Sequence, residues 1–313
     1  MEFSTKITIT PSSNLISHQH NLWLIGSCFT ENIGDLLKEY QFQTYQNSHG
    51  IIYNPISIFN AIDEVSSLKI YIENDLLKQN ELYVSLNHHG KFSGLDKNAV
   101  LAEINVEIEK ANTHFKKSDF VVITLGTSFV YEYADSKKIV ANCHKIPNTK
   151  FTKRLLKIEE IVATFDSIQS SLKEKKIIFT VSPVRHWRDG AVENQRSKSI
   201  LIESIHQIIE QHSNCFYFPA YEIMMDELRD YRFYEKDMLH PNSVAVEYIW
   251  QRFSETYFSA FTQTLNQQIA KINLLLQHRI KHENTNEQKQ FEALVKKSIE
   301  KFKEENPDLK LNF

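Results

Sequence analysis

The chain has 313 residues, 42% of them hydrophobic, and a net charge of −3 from 36 basic and 39 acidic residues. That length and apolar share support a large core in one or two domains, and the lack of a basic excess argues against electrostatic binding of nucleic acid. Three cysteines are too few for a disulfide framework and fit a reducing cytosol. Met1-Glu2-Phe3-Ser4-Thr5-Lys6 lacks the basic and then apolar regions of a signal peptide. No apolar run approaches the roughly 18 residues of a membrane span, so a cytoplasmic protein with no membrane partner is expected.

Leu22-Trp23-Leu24-Ile25 is an apolar run that stops at Gly26. Ser27 and Cys28 follow, then Ile33, Leu36, Leu37 and Tyr40 at helical spacing, which predicts a strand, a tight turn and a helix over 31–40. The turn puts two nucleophile-type side chains at a helix N-terminus, where unpaired N–H groups and the helix dipole favour a thiolate or an oxyanion. A serine in that place also serves as a plain N-cap. Residues 56–98 exceed what a simple crossover needs and predict an insertion that forms a cap or one wall of a cleft. Its His88-His89 pair invites a metal reading. Adjacent side chains on an extended chain point apart, however, and no HExxH or CxxC pattern supports a site. Cleft-lining histidines, His89 among them, are expected instead, with no metal and no cofactor.

Further strands are predicted over 120–125, 176–181 and 215–218, with helices over 100–115, 155–172 and 192–212. Strands that are apolar throughout predict a parallel sheet covered on both faces, with the ligand site beyond the carboxyl ends of its strands. Gly26, Gly126 and Ser182-Pro183 each follow such a strand, so their loops should border one cleft. Asn142-Cys143-His144-Lys145 offers His144 as a cleft residue, while Cys143 has no carboxylate at a useful spacing. Arg185-His186-Trp187-Arg188 makes Arg185 and His186 candidate substrate contacts, since a guanidinium can hold a carboxylate or phosphate and an indole can stack on a sugar face. An ion pair of Arg185 or Arg188 with Asp189 is the plainer role.

Asp237 and His240 stand three apart, just ahead of a helical pattern in Val244, Val246, Tyr248, Ile249 and Phe253, and Pro241 suits the first helical position. An aspartate at that spacing can hold the imidazole Nδ1–H and leave Nε2 to take a proton from Ser27 or Cys28. That role needs His240 within about 4 Å of one of the two. After Thr264, the residues Leu265, Ile269, Ile272, Leu276 and Ile280 form an apolar seam, and Phe291, Leu294, Val295, Ile299 and Phe302 a second helical face. They predict a C-terminal helical extension, 264–313, packed on the 1–263 domain or joining a homo-oligomer.

Gly26-Ser27-Cys28-Phe29, Tyr53-Asn54-Pro55, Leu125-Gly126-Thr127-Ser128, Asn142-Cys143-His144-Lys145, Thr180-Val181-Ser182-Pro183 and Asp237-Met238-Leu239-His240-Pro241 together resemble the GSCFA domain family. That family is a branch of the SGNH (GDSL-type) hydrolase superfamily. The resemblance runs over almost the whole chain and implies a three-layer α/β/α flavodoxin-like fold and esterase-type acyl chemistry. Laid ungapped on the superfamily's Gly-Asp-Ser-Leu block, the turn puts Cys28 in the nucleophile's place and Ser27 in that of the aspartate. Ser27 would attack only if the turn shifted by one residue. The superfamily's Gly-x-Asn-Asp block, whose asparagine helps form the oxyanion hole, finds only Gly126-Thr127-Ser128-Phe129. Ser128, Asn54 or Asn142 would have to substitute, beside the Cys28 N–H and Gly50, the glycine placed to supply the superfamily's other N–H. The implied activity is removal of a small O-acyl group from a carbohydrate-like substrate by a Cys28/Ser27–His240–Asp237 triad. An O-acyltransferase, or an inert glycan-binding protein with the same cleft, is also compatible with these residues.

Overall fold

Five strands make the central sheet: β1 (Asn21–Gly26), β2 (Gln43–Gln46), β3 (Phe120–Leu125), β4 (Lys176–Val181) and β5 (Cys215–Phe218). All pair in parallel, in the order β5-β4-β3-β1-β2, the flavodoxin-like doubly wound arrangement. The structure, a computed structural model, describes residues 4–278, 285–309, 311 and 313. Met1–Phe3 and the seam position Ile280 therefore lie outside the described residues.

Alternation along apolar strands divides their side chains between two cores. Trp23 and Ile25 of β1 join Val121, Ile123, Ile177 and Phe179 on one face of the sheet. That face is closed by α2 (Pro55–Ser66), α3 (Lys97–Lys117), α4 (Ile158–Leu172) and α5 (Gly190–Gln211). Leu22, Leu24, Phe120, Val122 and Ile178 face the other way, against α1 (Cys28–Glu39) and α6 (Ser243–Tyr257). Three layers result, as expected.

Four boundaries differ from the sequence reading. The edge strand β2, Gln-Thr-Tyr-Gln, has no apolar period and exists through its register with β1 (Leu22 opposite Thr44). Residues 151–155 form a strand, paired with 129–133 in a three-stranded antiparallel sheet, and α4 starts only at Ile158. Arg154 decides this: it holds Glu132 across the strand pair at 2.6 Å and Glu160 in the first turn of α4 at 2.7 Å. The expected insertion at 56–98 is also shorter, because Ile58, Phe59, Ile62 and Val65 put α2 fully inside the first core. Finally, the C-terminal helices begin earlier, with Ser259 capping α7 (Ala260–Gln277) ahead of α8 (Asn286–Glu305). Leu265, Ile269 and Ile272 of α7 are covered by Phe302 of the same chain, and Asn273 ties α7 to the Glu39 carbonyl at the end of α1 (2.8 Å).

The segment after α2 is fastened to the loop after β2 by a buried polar cluster. The Glu64 carboxylate accepts from His49 Nε2 (2.9 Å), Lys69 Nζ (2.7 Å), Tyr71 Oη (2.7 Å) and Asn87 Nδ2 (3.2 Å). His88 stacks face to face on His49, with ring centroids 4.4 Å apart, and its Nδ1 meets Ser85 Oγ at 2.8 Å. Burial raises the Glu64 carboxyl, but His49 and Lys69 more than offset this and hold it at about 2. Its folded value lies below its unfolded one, so the stabilisation is present above about pH 4.3 and is lost as pH falls through about 2. Glu64→Gln should cost about 2 kcal/mol at neutral pH. Its melting temperature should also fall less than wild type's between about pH 5 and about pH 2.5, as thermal melts monitored by circular dichroism would show.

Candidate active site

The turn after β1 is built by close approach. Gly26 has φ +142°, and a Cβ there would lie 2.2 Å from the Thr124 carbonyl oxygen of β3. That proximity lets Ser27 N–H donate to Thr124 O at 3.1 Å. Asn47, in the loop after β2, accepts from Gly26 N–H at 3.0 Å, while Ile52 N–H donates to Gly26 O at 3.0 Å. The turn is thereby clamped from both sides. α1 starts at Cys28, with Ser27 in the N-cap position.

The two candidate nucleophiles have different surroundings. Ser27 is 1% exposed, makes no side-chain cap and leaves its Oγ without a hydrogen-bond partner. Cys28 is only partly buried. Burial pushes its thiol up, with the Glu31 carboxylate adding to the rise, while the N–H groups of Phe29 and Cys28 and the Lys198 ammonium pull it down. Those two N–H groups are the open end of α1, directed at sulfur as a helix N-terminus directs them at an anion.

Asp237 and His240 pair as their spacing predicts: His240 Nδ1 lies 2.6 Å from Asp237 Oδ2. The other oxygen, Oδ1, accepts from Leu239 N–H (2.9 Å) and His240 N–H (3.0 Å). These bonds to the backbone N–H groups of His240 and Leu239, followed by the imidazole, hold the Asp237 carboxyl at about 2. The helical start differs from expectation, because Pro241 bridges to Tyr234 and Asn242 caps α6 through Ala245 N–H (3.1 Å). His240 thus sits on a tight turn, half exposed, as is Asp237. Among the described residues no hydrogen bond joins His240 to Ser27 or Cys28.

Arg185 latches this turn to the loop after β4. Its Nη2 donates to the Met238 carbonyl at 2.6 Å, and its guanidinium lies over the rings of Trp187 (5.0 Å) and Tyr234 (4.9 Å). Asp189 pairs with Lys153, and the plainer alternative, an ion pair of Asp189 with Arg185 or Arg188, is not found among the described residues. His186 stands edge-on to Tyr53 at 5.4 Å, and burial keeps it neutral with its value drawn down to about 4. His89 and His144 have local partners: His89 Nδ1 accepts from Lys91 N–H (3.3 Å), and His144 Nε2 meets the Ser85 carbonyl (2.7 Å).

The Ser128 and Asn54 side chains and the Gly50 N–H named for the oxyanion are occupied, while Asn142 is bonded through its acceptor oxygen. Gly50 N–H donates to Asn47 O at 2.8 Å. Asn54 caps α2 through Ser57 N–H (2.9 Å) and gives its Nδ2 to Ser57 Oγ and Val140 O. Ser128 is 0% exposed and bonds Ser197 through both its N–H (2.8 Å) and its hydroxyl. Asn142 Oδ1 accepts from His144 N–H at 3.0 Å. Two residues that the sequence reading missed brace the strand ends instead. Tyr53 O accepts from the N–H groups of Gly126 (2.8 Å) and Thr127 (3.1 Å). Lys198 is 0% exposed and its Nζ donates to Gly126 O (2.8 Å) and Ser182 O (2.7 Å). A signal for Lys198 existed in the sequence, since it lies on the apolar stripe of α5 with Leu201, Ile205 and Ile208. No group of three or more His, Cys, Asp or Glu side chains suited to a metal ion occurs among the described residues. Nor is any described helix long and apolar enough to cross a membrane.

Residues 21–253, which carry the turn, both braces and the Asp237–His240 pair, match the GSCFA family. The chain belongs to the GSCFA family. No curated protein matches this GSCFA-family chain. Among solved structures it is similar to a protein of proposed acylhydrolase activity from Bacteroides fragilis NCTC 9343, at 10% identity over 83% of this chain and 91% of that one, TM-score 0.38. It is similar also to a carbohydrate esterase family 3 protein from Talaromyces cellulolyticus (8% identity, 80% and 99% covered, TM-score 0.36). A third is an acetyl xylan esterase from the rumen bacterium Butyrivibrio proteoclasticus (11% identity, 85% and 66% covered, TM-score 0.37).

The three thiols of this GSCFA-family chain should differ in reactivity. Cys215 is buried, and burial pushes it up to about 12, so iodoacetamide should leave it intact in the folded chain. Cys28 should react faster than Cys143, whose thiol burial also raises without backbone N–H groups to offset it. Peptide mass spectrometry after timed alkylation reads the order, and faster labelling of Cys143 would contradict it.

Proposed function

We propose that this protein is an esterase-type hydrolase with Cys28 as nucleophile, His240 as general base and acid, and Asp237 as the residue that orients His240. The 2.6 Å contact of Asp237 Oδ2 with His240 Nδ1 carries the reading. A proton held on Nδ1 by the carboxylate leaves Nε2 as the acceptor. Arg185 ties that turn to the loop after β4, at the same carboxyl end of the sheet from which Cys28 emerges. Ser27 is the weaker nucleophile because its Oγ is enclosed.

In the first half-reaction the Cys28 thiol gives its proton to His240 Nε2 as sulfur adds to the ester carbonyl. The C–O bond to the alcohol then breaks, and the alcohol leaves with that proton. Water, deprotonated by His240, attacks the resulting thioester. The acid departs and the thiol is restored with its proton. Oxyanion donors in this scheme are the N–H groups of Cys28 and Phe29, which the open N-terminus of α1 presents beside the sulfur. The scheme requires the exposed His240 turn to settle onto Cys28 when substrate enters. A small O-acyl group on a carbohydrate-like alcohol is the substrate class proposed, with Trp187, half exposed beside Arg185, as a surface for a sugar ring.

Hydrolysis of p-nitrophenyl acetate tests the scheme. His240→Ala and Cys28→Ala should each lower kcat by about 10³-fold or more, and Asp237→Asn by about 10²-fold or more. Ser27→Ala should remain folded and partly active. Turnover that survives Cys28→Ala at the wild-type rate would rule out this nucleophile.

A further inference from the structure

We propose that Arg185 is a positioning residue of this site, which keeps His240 in its Nδ1–H tautomer by holding the peptide unit that joins Met238 to Leu239. The inference rests on His240 being the general base. Both sides of that peptide unit are engaged. Its carbonyl accepts from Arg185 Nη2 at 2.6 Å, and its N–H donates to Asp237 Oδ1 at 2.9 Å. The other oxygen of the same carboxylate meets His240 Nδ1 at 2.6 Å. An unbroken run of contacts thus leads from the guanidinium to the imidazole.

Among the described residues, the Arg185 bond is the only hydrogen bond that reaches residues 235–240 from outside that stretch. The others are internal, with Met238 N–H donating to Glu235 O (2.8 Å) and Glu235 N–H to His240 O (2.7 Å). They leave Met238 at φ +62°, in the left-handed region that a residue with a side chain seldom adopts. Such a conformation persists only where its surroundings over-determine it. Released from Arg185, Met238 can relax, which rotates the peptide unit and withdraws the Leu239 N–H from Asp237. The carboxylate is then free to swing away from His240 Nδ1.

Arg185 is committed to this contact. Asp189 is held by Lys153, and no carboxylate pairs with Arg185 among the described residues. The guanidinium lies over Trp187 and Tyr234, and its Nε is enclosed without a hydrogen-bond partner. The loop that carries it is anchored in turn, since His186 N–H donates to Oδ1 of the buried Asn194 in α5 at 2.9 Å. A cationic donor on the Met238 carbonyl also polarises the peptide unit and strengthens its N–H as a donor to the carboxylate.

The test is the tautomer of His240 in the full chain, read by ¹⁵N NMR of the imidazole on the alkaline plateau of its titration. Wild type should show the Nδ1–H form. In Arg185→Met the ratio of Nδ1–H to Nε2–H should fall by about tenfold, the worth of one hydrogen bond to a charged group. Arg185→Lys keeps a cationic donor and should recover much of the ratio. On p-nitrophenyl acetate, kcat should follow the same order with KM unchanged. A folded Met variant with an unmoved tautomer ratio overturns the inference. So does a rise in KM alone, which would make Arg185 a substrate contact. If the Met variant does not fold, Arg185→Gln, whose shorter amide loses the same bond, takes its place with the same outcomes. The tautomer is read without turnover. A tautomer shift in a chain that hydrolyses no ester would sink the esterase reading and keep this one.

Discussion

The close approach of β1 and β3 at Gly26 is the constraint on which the site depends. No side chain fits where its Cβ would meet the Thr124 carbonyl at 2.2 Å. Because Gly26 permits the contact, Ser27 N–H can extend the β1–β3 ladder by one bond, and the chain turns into α1 immediately afterwards. Cys28 is then the first helical residue, beside the unpaired N–H groups of that end. A larger residue at position 26 would push the two strands apart at the turn into α1, so the sheet and the placing of Cys28 share one requirement.

Around that point the strand ends are held by polar groups that come from far along the chain. Asn47 fixes the Gly26 N–H, the Tyr53 carbonyl takes two N–H groups after β3, and Lys198 joins the carbonyls after β3 and β4. Arg185 then passes the restraint from the β4 loop to the turn of Asp237 and His240. Backbone groups beyond a parallel sheet have no ladder partners, and burying them without such braces would carry a heavy desolvation cost. The same braces hold the loops together at the carboxyl end of the sheet. Ser128 and Asn54 belong to this bracing layer, and it consumes the hydrogen-bond donors that an oxyanion role would need.

The segment after α2 depends on a different balance. Its contacts converge on Glu64, a carboxylate at the end of a core helix, so the added segment is anchored by charge and hydrogen bonds as much as by its small apolar cluster of Tyr71, Phe92, Val100 and Ile104. His88 and His89 divide accordingly. One stacks inward on His49 and the other caps a short 3-10 turn, as expected of neighbours whose side chains point apart.

The sequence by itself determined the strongly apolar elements and the local chemistry. Strands 22–25, 120–125 and 176–181 are legible because a residue buried on either face must be apolar, and the Asp237–His240 pair because three residues of a tight turn bring the two side chains together wherever that turn lies. Only the tertiary structure decided the rest. β2 is polar and gains strand geometry from β1 alone, and the expected helix start at Leu155 gives way to a strand, 151–155, in which Arg154 binds Glu132 on a neighbouring strand. The relative enclosure of Ser27 and Cys28 follows from how α1 meets the sheet, which no local pattern encodes. The function of Lys198 as a brace appears only when two carbonyls, Gly126 and Ser182, 56 residues apart in the chain, lie within reach of one ammonium. Short-range spacing carries turns, helices and dyads; which polar groups are already spoken for depends on long-range packing.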